Sequence, residues 1–536
     1  MSLSFRSSRS TPPSGPAPEL PRRAVLVGAV ATAAGAALVT LTGCGSSDSS
    51  SSGGSGTLTA GFDNEPVTLD PALSAAISSD RNVLNLFFDA LLRQRPDGSF
   101  EAALATKWQQ TEKEVTFTLR DGVKFHDGTT CNAEAVVHNL RRVMDPKTLS
   151  TKASALAKVA SVEAPDARTV KLRLKAPDPL LLTHLAHEAG MIASPAALEK
   201  HGKDFGRHPV GTGPFTFSVW RSKVQLTAER NSAYWAKAAD GSSLPKLGKV
   251  VVRFVTEPKV LRAELSTGGV QLVRSLPPEE YEQLADDKHI VIKDTGVRRS
   301  YYVALNTTAG PFKDAKVRVA FARAVDRHAV GKAAAGDEYD IAPSFATSSD
   351  WFYDGSIAPL PYDPAAAAAA LKDAGLPSGV PITLVARRRA PDPTIAELLQ
   401  SQLTAVGFTP KAEVLEFQTQ LDRMKKRDFD AALLVVDIPR LDPSLSFNPY
   451  FTSSGSNNWS GLNDSVLDAL LADGAASTDR SERKKAYADA QRRIIDNNYW
   501  VFLHQAKSPL IHSSSLKGIQ LDVDGQWRLA EAELGA

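Results

Sequence analysis

Ten histidines, two cysteines and several glycine-rich turns are where this 536-residue chain could do chemistry. His184-Leu-Ala-His187-Glu188 spaces two imidazoles as metal ligands on a helix face are spaced. The zinc patterns H-E-x-x-H and H-x-x-E-H put the glutamate between the histidines, whereas here it follows both. The pair therefore reads as structural or solvated. His126-Asp127-Gly128 is a turn, and Gly211-Thr-Gly-Pro lacks the Lys-Ser/Thr ending of a phosphate loop. No G-x-S-x-G nucleophile occurs, and Arg387-Arg388-Arg389 reads as a solvated basic face. With no catalytic or metal-ligand set, the expectation is a protein that is not an enzyme and has no cofactor and no metal. The 62 basic and 60 acidic residues give a net charge of +2, without the basic footprint of a nucleic-acid binder. Two cysteines also rule out a disulfide framework.

Cys44 is the residue with a distinctive reactive context. Arg6, Arg9, Arg22 and Arg23 precede the uncharged run 24–43, AVLVGAVATAAGAALVTLTG. A basic head, an apolar middle and a small-residue end make a secretory signal. The Arg22-Arg23 pair looks like a twin-arginine signal, and the Ala-Val-Leu after it leaves a Sec route open. Leu41-Thr42-Gly43-Cys44 resembles a bacterial lipobox, in which the thiol takes a diacylglyceryl group and becomes residue one after cleavage. A plain transmembrane anchor is the competing reading; the Ala/Gly-rich run weighs against it. Residues 1–43 are thus expected to be removed, taking four arginines and Glu19 and leaving a charge near −1. The Ser/Gly segment 44–56 cannot bury apolar surface, and is expected to tether the body about 20 Å from a membrane. Cys131 is then the one thiol left, expected to be capped or buried.

The elements behind these residues alternate in type. Val115, Phe117 and Leu119 recur at period two, and Asp121-Gly122 predicts a hairpin to Val123 and Phe125. Val170–Leu174, Phe215–Val219 and Val250–Phe254 read as further strands. Helices are predicted over 81–93, over 316–330, over 395–406, over 483–495 and after the cap Asn132. Asp363-Pro364 begins another, which Gly375 ends. The length suggests about three folding units, mixed α/β and without repeats.

Five stretches, in order, resemble extracellular solute-binding protein family 5, the peptide- and nickel-type receptors of ABC importers. They are Thr68-Leu-Asp-Pro71 with Phe87-Phe-Asp-Ala-Leu91; Thr116–Val137, TFTLRDGVKFHDGTTCNAEAVV; and Pro209–Phe215 with Arg230–Trp235. Tyr302–Asn306 with Pro311–Arg327, then Tyr362–Gly375, complete the set. Cys131 and Ala135 depart from the family pattern. Because glycine turns and helix seats explain most of these motifs, they speak for fold more than for a binding site.

The resemblance implies an α/β, two-lobed, periplasmic-binding-protein-like fold (type II, cluster C) with an inserted subdomain in the first lobe. Lobe I is expected over 57–297 plus 506–536, with the insertion at about 93–205, and lobe II over 298–505. Crossings are expected near 296–300 and 504–507. The implied function is a substrate-binding lipoprotein, exported and lipid-anchored on the outer face of the cytoplasmic membrane. It would capture an oligopeptide or peptide-like solute by hinge closure and pass it to a permease with ATPase subunits, acting as a monomer without nucleic acid. A sugar, metal chelate or signalling molecule as cargo, or a surface receptor without transport, are the alternatives. By correspondence with peptide-binding members, Ser74, Ala75, Ala76 and Ile77 would clasp the ligand from the first lobe. The second clasp would be 433–447, LLVVDIPRLDPSLSF. Peptide binders place a Trp there, and three residues later an Asp that pairs with the peptide ammonium; here Val436 and Pro439 take those places. Asp437 is the substitute ammonium partner and Arg440 would meet an acidic or hydroxylated group. Trp459, with Asn457 and Asn458, would offer a stacking platform, and a core Trp is the competing reading.

Overall fold

The computed structural model describes residues 56–535, apart from 75–78, 349, 377–378, 439–441 and 478. Cys44, the signal segment, the tether before Gly56, and Ala75, Ala76, Ile77 and Arg440 lie outside the described residues. Among the described residues, no helix is long and apolar enough to cross a membrane.

Two large sheets organise the chain. The first has seven strands, in the order Ile290–Lys293, Leu510–Ser513, Leu272–Val273, Thr57–Phe62, Lys249–Phe254, Gln225–Arg230 and Phe215–Arg221. Thr57–Phe62 runs parallel to its neighbours on both sides, and the outer strands are antiparallel. The second sheet orders Tyr339–Ile341, Trp500–Lys507, Arg298–Leu305, Ala431–Ile438, Val380–Arg387 and Phe408–Leu415. Its central strand Arg298–Leu305 is covered on both faces and almost wholly buried, which is why its second half, Tyr301–Leu305, reads as an apolar run. Tyr301, Val303 and Leu305 enter one core. Tyr302 and Ala304 enter an aromatic core with Phe345, Phe447, Phe451, Trp500 and Phe502. Tyr302 stacks on Trp500 at 4.0 Å between ring centroids. Burial of each such side chain contributes about 1.5–3 kcal/mol.

The chain passes between the sheets twice. It leaves the first after Lys293 and enters the second at Arg298; it returns between Lys507 and Leu510. Trp500–Lys507 stays paired with Arg298–Leu305 as far as Lys507, because Arg298 opposes Lys507. The return crossing is therefore Ser508-Pro509, a little beyond the expected 504–507, and residues 506–507 belong with the second sheet. The crossings are bonded to each other: Thr295 Oγ1 donates to Ser508 O at 2.8 Å, and Ser508 N to Val297 O at 3.3 Å.

A four-stranded antiparallel sheet, Ala105–Gln110, Glu114–Leu119, Thr169–Leu174 and Val159–Asp166, is inserted within the first lobe. Its apolar face packs on helix Ala133–Met144, capped by Asn132. The core of this subdomain extends to Ile192, whereas Ala193, Ala197, Leu198 and Phe205 pack in the core of the seven-stranded sheet. Its C-terminal limit thus falls short of the expected 205. Asp121-Gly122 makes a turn, with Gly122 at φ 73°, but Val123–Phe125 does not pair back on Glu114–Leu119. The strand's two edges are already occupied by 105–110 and 169–174. The helix expected over 316–330 is two helices, Ala315–Ala324 and Arg327–Ala335, since Asp326 turns extended and caps the second. Likewise the helix expected over 81–93 is Ser79–Phe87, followed by strand Leu92–Gln94.

The family-like motifs meet at one buried carboxylate. Asp89 accepts from Thr212 Oγ1 (3.0 Å), Tyr234 OH (3.1 Å) and Trp235 Nε1 (2.8 Å). The His126 Nε2–H donates to Gly213 O at 3.0 Å, tying the His-Asp-Gly turn to the Gly-Thr-Gly segment. Gly213 is required there because a Cβ would lie 2.4 Å from the Phe87 carbonyl carbon.

Candidate functional site

The two lobes approach beside the crossings, and the residues there form the candidate solute site. On the first-lobe side, Ser74 follows the Leu69-Asp70-Pro71 loop. Its hydroxyl donates to Asp80 Oδ2 at 2.9 Å and its carbonyl accepts from Thr151 Oγ1 at 2.8 Å. These bonds hold the chain leading to 75–77 in place, and leave the Ser74 carbonyl and hydroxyl already engaged.

Behind this loop lies a buried charge cluster. Arg81 Nη1 is 3.1 Å from Asp524, and Nη2 is 3.4 Å from Asp522; Glu188 is 3.9 Å away. Burial works to lower the Arg81 pKa, but Asp524, Glu188 and Asp522 outweigh it and raise it. Burial likewise pushes Asp522 up, yet Arg528, Arg81 and Arg93 hold its carboxyl well below the usual range. Asp524 is raised, chiefly by burial. The turn carrying these acids touches the first crossing, since a Cβ on Gly525 would lie 2.7 Å from Val297 Cγ2. His187 is buried, its Nε2 3.1 Å from Gln94 Oε1, and burial and Arg81 push its pKa well down. It lies beyond the end of helix Leu181–Leu185, so His184 and His187 do not share a helix face.

On the second-lobe side, Val436 and Asp437 pair with Ser300 and Arg299, at the crossing end of the sheet. Val436 is half-buried against the aromatic core. After the segment 439–441, Asp442 caps helix Pro443–Phe451 by accepting from Ser444 N at 3.0 Å. Asp442 also holds Arg483 Nη2 at 2.7 Å. Burial lowers the Arg483 pKa, and the Asp442 hydrogen bond and charge raise it further than that. Trp351 lies under two guanidiniums, Arg480 at 5.0 Å and Arg483 at 5.4 Å. Arg480 Nη2 reaches across to the first lobe, donating to Asp97 O at 3.2 Å.

The structure separates part of the expected set. Trp459 and Asn458 are stitched to the far end of the central strand, where Thr307 N donates to Ser460 O. Asp437 lies opposite Arg299, eight residues back from Thr307, or about 27 Å at ~3.4 Å per residue. Trp459 packs edge-on against Tyr450 at 5.6 Å. The Asn458 amide is spent on its own loop, donating to Leu462 O (2.9 Å) and Ser453 O (3.3 Å) and accepting from Leu462 N (2.8 Å). The fold thus keeps Trp459 and Asn458 apart from Asp437, with Trp459 packed against the aromatic core as the competing reading has it.

Sequence reading missed the Arg81–Asp522–Asp524 cluster and the Asp442–Arg483–Trp351 group. The Asp-Pro dipeptide at 442–443 was a visible helix cap, but its pairing with Arg483, 41 residues on, carries no local signal. Within the two lobes several buried polar atoms lack a protein partner, among them Ser300 Oγ, Tyr302 OH, Asn85 Oδ1 and Gln526 Oε1. Buried this deeply, such groups call for an ordered water.

Residues 99–458 match the model of the bacterial extracellular solute-binding proteins, family 5. The chain belongs to this family. Its members are exported solute-binding proteins and not enzymes. The chain is 29% identical over 482 residues to the glutathione-binding protein GsiB of Escherichia coli O157:H7, covering 87% of this chain and 92% of that relative. In fold it matches DppA of Helicobacter pylori, in complex with the peptide STSA, at a TM-score of 0.75 and 25% identity. That match covers 90% of this chain and 98% of DppA. AgaA of A. tumefaciens R10, in complex with agropinic acid, matches at a TM-score of 0.74 and 25% identity, over 90% and 99% of the two chains. The fold is thus the two-lobed cluster C, type II binding-protein fold, and the chain is a solute-binding protein of this transport family.

Proposed function

We propose that this chain is the lipid-anchored receptor of an ABC importer, which captures a peptide or peptide-like solute between its lobes and hands it to a permease. The observation that carries the reading is the pair of mutually bonded crossings, 294–297 and 508–509, between two independently cored sheets. Such a joint permits rotation of one lobe on the other with little loss of packing. A solute touching both lobes then favours the closed state by its differential affinity. We take lobe I as 57–297 with 508–536, lobe II as 298–507, and the inserted subdomain as about 93–192. Cys44 supplies the anchor and 45–56 the tether; the folded body acts as a monomer.

For the cargo, the relatives' glutathione and peptide ligands favour a peptide-like solute. Asp442 is already neutralised by Arg483, so it is a poor partner for a peptide ammonium. Asp437 remains our choice for that role, with Ser74, Ala75, Ala76, Ile77, Val436 and Arg440 lining the cleft. Leaving an ammonium buried and unpaired would be costly. Pro439, standing where peptide binders carry an aspartate, favours a second reading, a cargo without a free amine.

A binding screen separates the two. Di- to pentapeptides, their N-acetylated forms and oligosaccharides are titrated into the mature protein by calorimetry. Free-amine peptides are expected to bind, and to weaken on N-acetylation and in Asp437→Asn. Equal binding after acetylation selects the second reading, and binding of sugars alone removes the peptide assignment.

A further inference from the structure

Beside the crossings, a cavity of about 390 Å³ is walled by both lobes and shares no residue with the cleft described above. Its floor is apolar: Leu284, Ile290 and Ile292 of the first lobe. Its polar rim is mainly acidic, with Glu282 from the first lobe, Glu338 from the second and Asp294 on the first crossing. Lys507, next to the return crossing, is committed to Glu338 at 2.9 Å. Asp294 is committed to Arg298 at 2.7 Å. Among the described residues Glu282 makes no ion pair. The lobes touch at this point, because a Cβ on Gly336 would lie 2.4 Å from Glu282 Oε1.

A second feature singles out the cavity. Tyr281 is only 3% exposed and lines it, and the Tyr281 hydroxyl has no hydrogen-bond partner. Burial, and then the charges of Glu338, Glu282, Glu279 and Asp294, raise its pKa, so the hydroxyl stays protonated. Glu282 is raised too, by burial and by Glu338, Asp337 and Glu279. A cation placed here would relieve both groups. A neutral or anionic occupant would not.

We propose that this cavity is a second ligand site, which takes a small alkylammonium ion and couples it to the angle between the lobes. The ammonium sits between Glu282 and the Tyr281 hydroxyl, which accepts one N–H. The alkyl body lies on Leu284, Ile290 and Ile292. The volume falls within the range of small-molecule sites, roughly 300–1,000 Å³. Because the walls come from both lobes and from the first crossing, lobe rotation changes the site. By reciprocity, an occupant shifts the lobe equilibrium and hence affinity in the cleft.

The test uses the mature chain and n-butylammonium, with n-butanol as the neutral control. Binding is followed by calorimetry, and lobe separation by spin labels at Val260→Cys and Val466→Cys, two exposed positions, one on each lobe. Butylammonium is expected to bind saturably and to shift the distance distribution, and butanol to do neither. Glu282→Gln, which keeps the side-chain shape, and Tyr281→Phe, which removes an unpartnered hydroxyl, are each expected to weaken binding about fivefold or more. Their thermal melts establish that both fold. Butanol binding as well as butylammonium, no saturable binding, or unchanged affinity in both variants would overturn the site. An unmoved distance distribution at saturation would overturn the coupling.

Discussion

Replacing Asp89 tests whether the motifs that mark the family are a structural joint. Asp89 is buried and accepts from Thr212, Tyr234 and Trp235. In Asp89→Ala three donors lose their acceptor inside the protein, at about 1–3 kcal/mol each. Rotation of the Thr212 hydroxyl recovers some of this, so the expected loss is about 4 kcal/mol. Asp89→Asn is different. Its oxygen can take the Thr212 and Trp235 donors, and its amide can donate to the Tyr234 hydroxyl oxygen, so the expected loss is about 1 kcal/mol or less.

The pH dependence carries a sign that follows from the same environment. Burial raises the Asp89 pKa above the ordinary 3.8, against the pull of its hydrogen bonds and of Arg528. The folded state therefore holds the proton more tightly than the unfolded state. The stability from this group is fully present below pH 3.8, is lost as pH rises through the folded value, and is constant above it. Asp89→Asn should abolish that decline. The assay is guanidinium unfolding of the mature protein, with hydrogen exchange over 79–92 and 211–216 as a local probe, since separate lobes need not unfold together. If Asp89→Asn were as damaging as Asp89→Ala at neutral pH, the negative charge itself would be essential and the reasoning would be wrong.

Three further expectations follow from other sites. His504, buried against Tyr301 with neither ring nitrogen bonded, has its pKa pushed down to about 4 by burial. Its contribution should be intact above the unfolded pKa near 6.5 and should fall by about 3 kcal/mol as pH drops from there through 4, a slope that His504→Phe removes in pH-dependent unfolding. Gly213→Ala pushes a methyl group into the Phe87 backbone, and should cost several kcal/mol or abolish recovery of folded protein; a normal unfolding midpoint would refute the close approach. Cys44→Ser should release the protein from membranes or leave its signal uncut, because stable anchoring takes two acyl chains or more; unchanged fractionation with normal processing would count against the lipid anchor.

How much of the fold was legible depended on whether the deciding contact was local. Asn132 and Asp363 cap helices where their positions predict, since an N-cap is read by backbone N–H groups three residues on. The Asp326 cap was equally visible, yet it was passed over because Val325 kept the apolar spacing on both sides of the break. The Asp121-Gly122 turn was correctly placed and its partner strand was not. A turn dipeptide specifies a reversal, whereas strand pairing is decided by which segments reach the free edge first in three dimensions. The return crossing slipped for a related reason. The strand turns from apolar Trp500–Leu503 to the more polar His504-Gln505-Ala506-Lys507, which reads as an end, yet its pairing runs on to Lys507 and stops only short of Pro509, which cannot donate to a ladder.

The site was less legible than the fold, and the difference is physical. Correspondence with relatives brought Val436 and Asp437 to the crossing end of the second sheet, where strand register sets them. Trp459 and Asn458 were read from residue type alone, with a stacking platform and a core Trp both open, because an aromatic residue next to amides in a loop looks the same whether it faces a ligand or closes a core. Only the bonds of Asn458 to Ser453 and Leu462 distinguish the two. The strongest groups beside the crossings, Arg81 with Asp522 and Asp524 and Arg483 with Asp442, join residues far apart in the chain. Each is buried, and a buried charge survives only with its counter-charge in place. Such pairs set the rigid walls against which a solute is held. With those charges already satisfied by one another, they hold the walls in place more than they select the solute, and selectivity should lie elsewhere in the cleft.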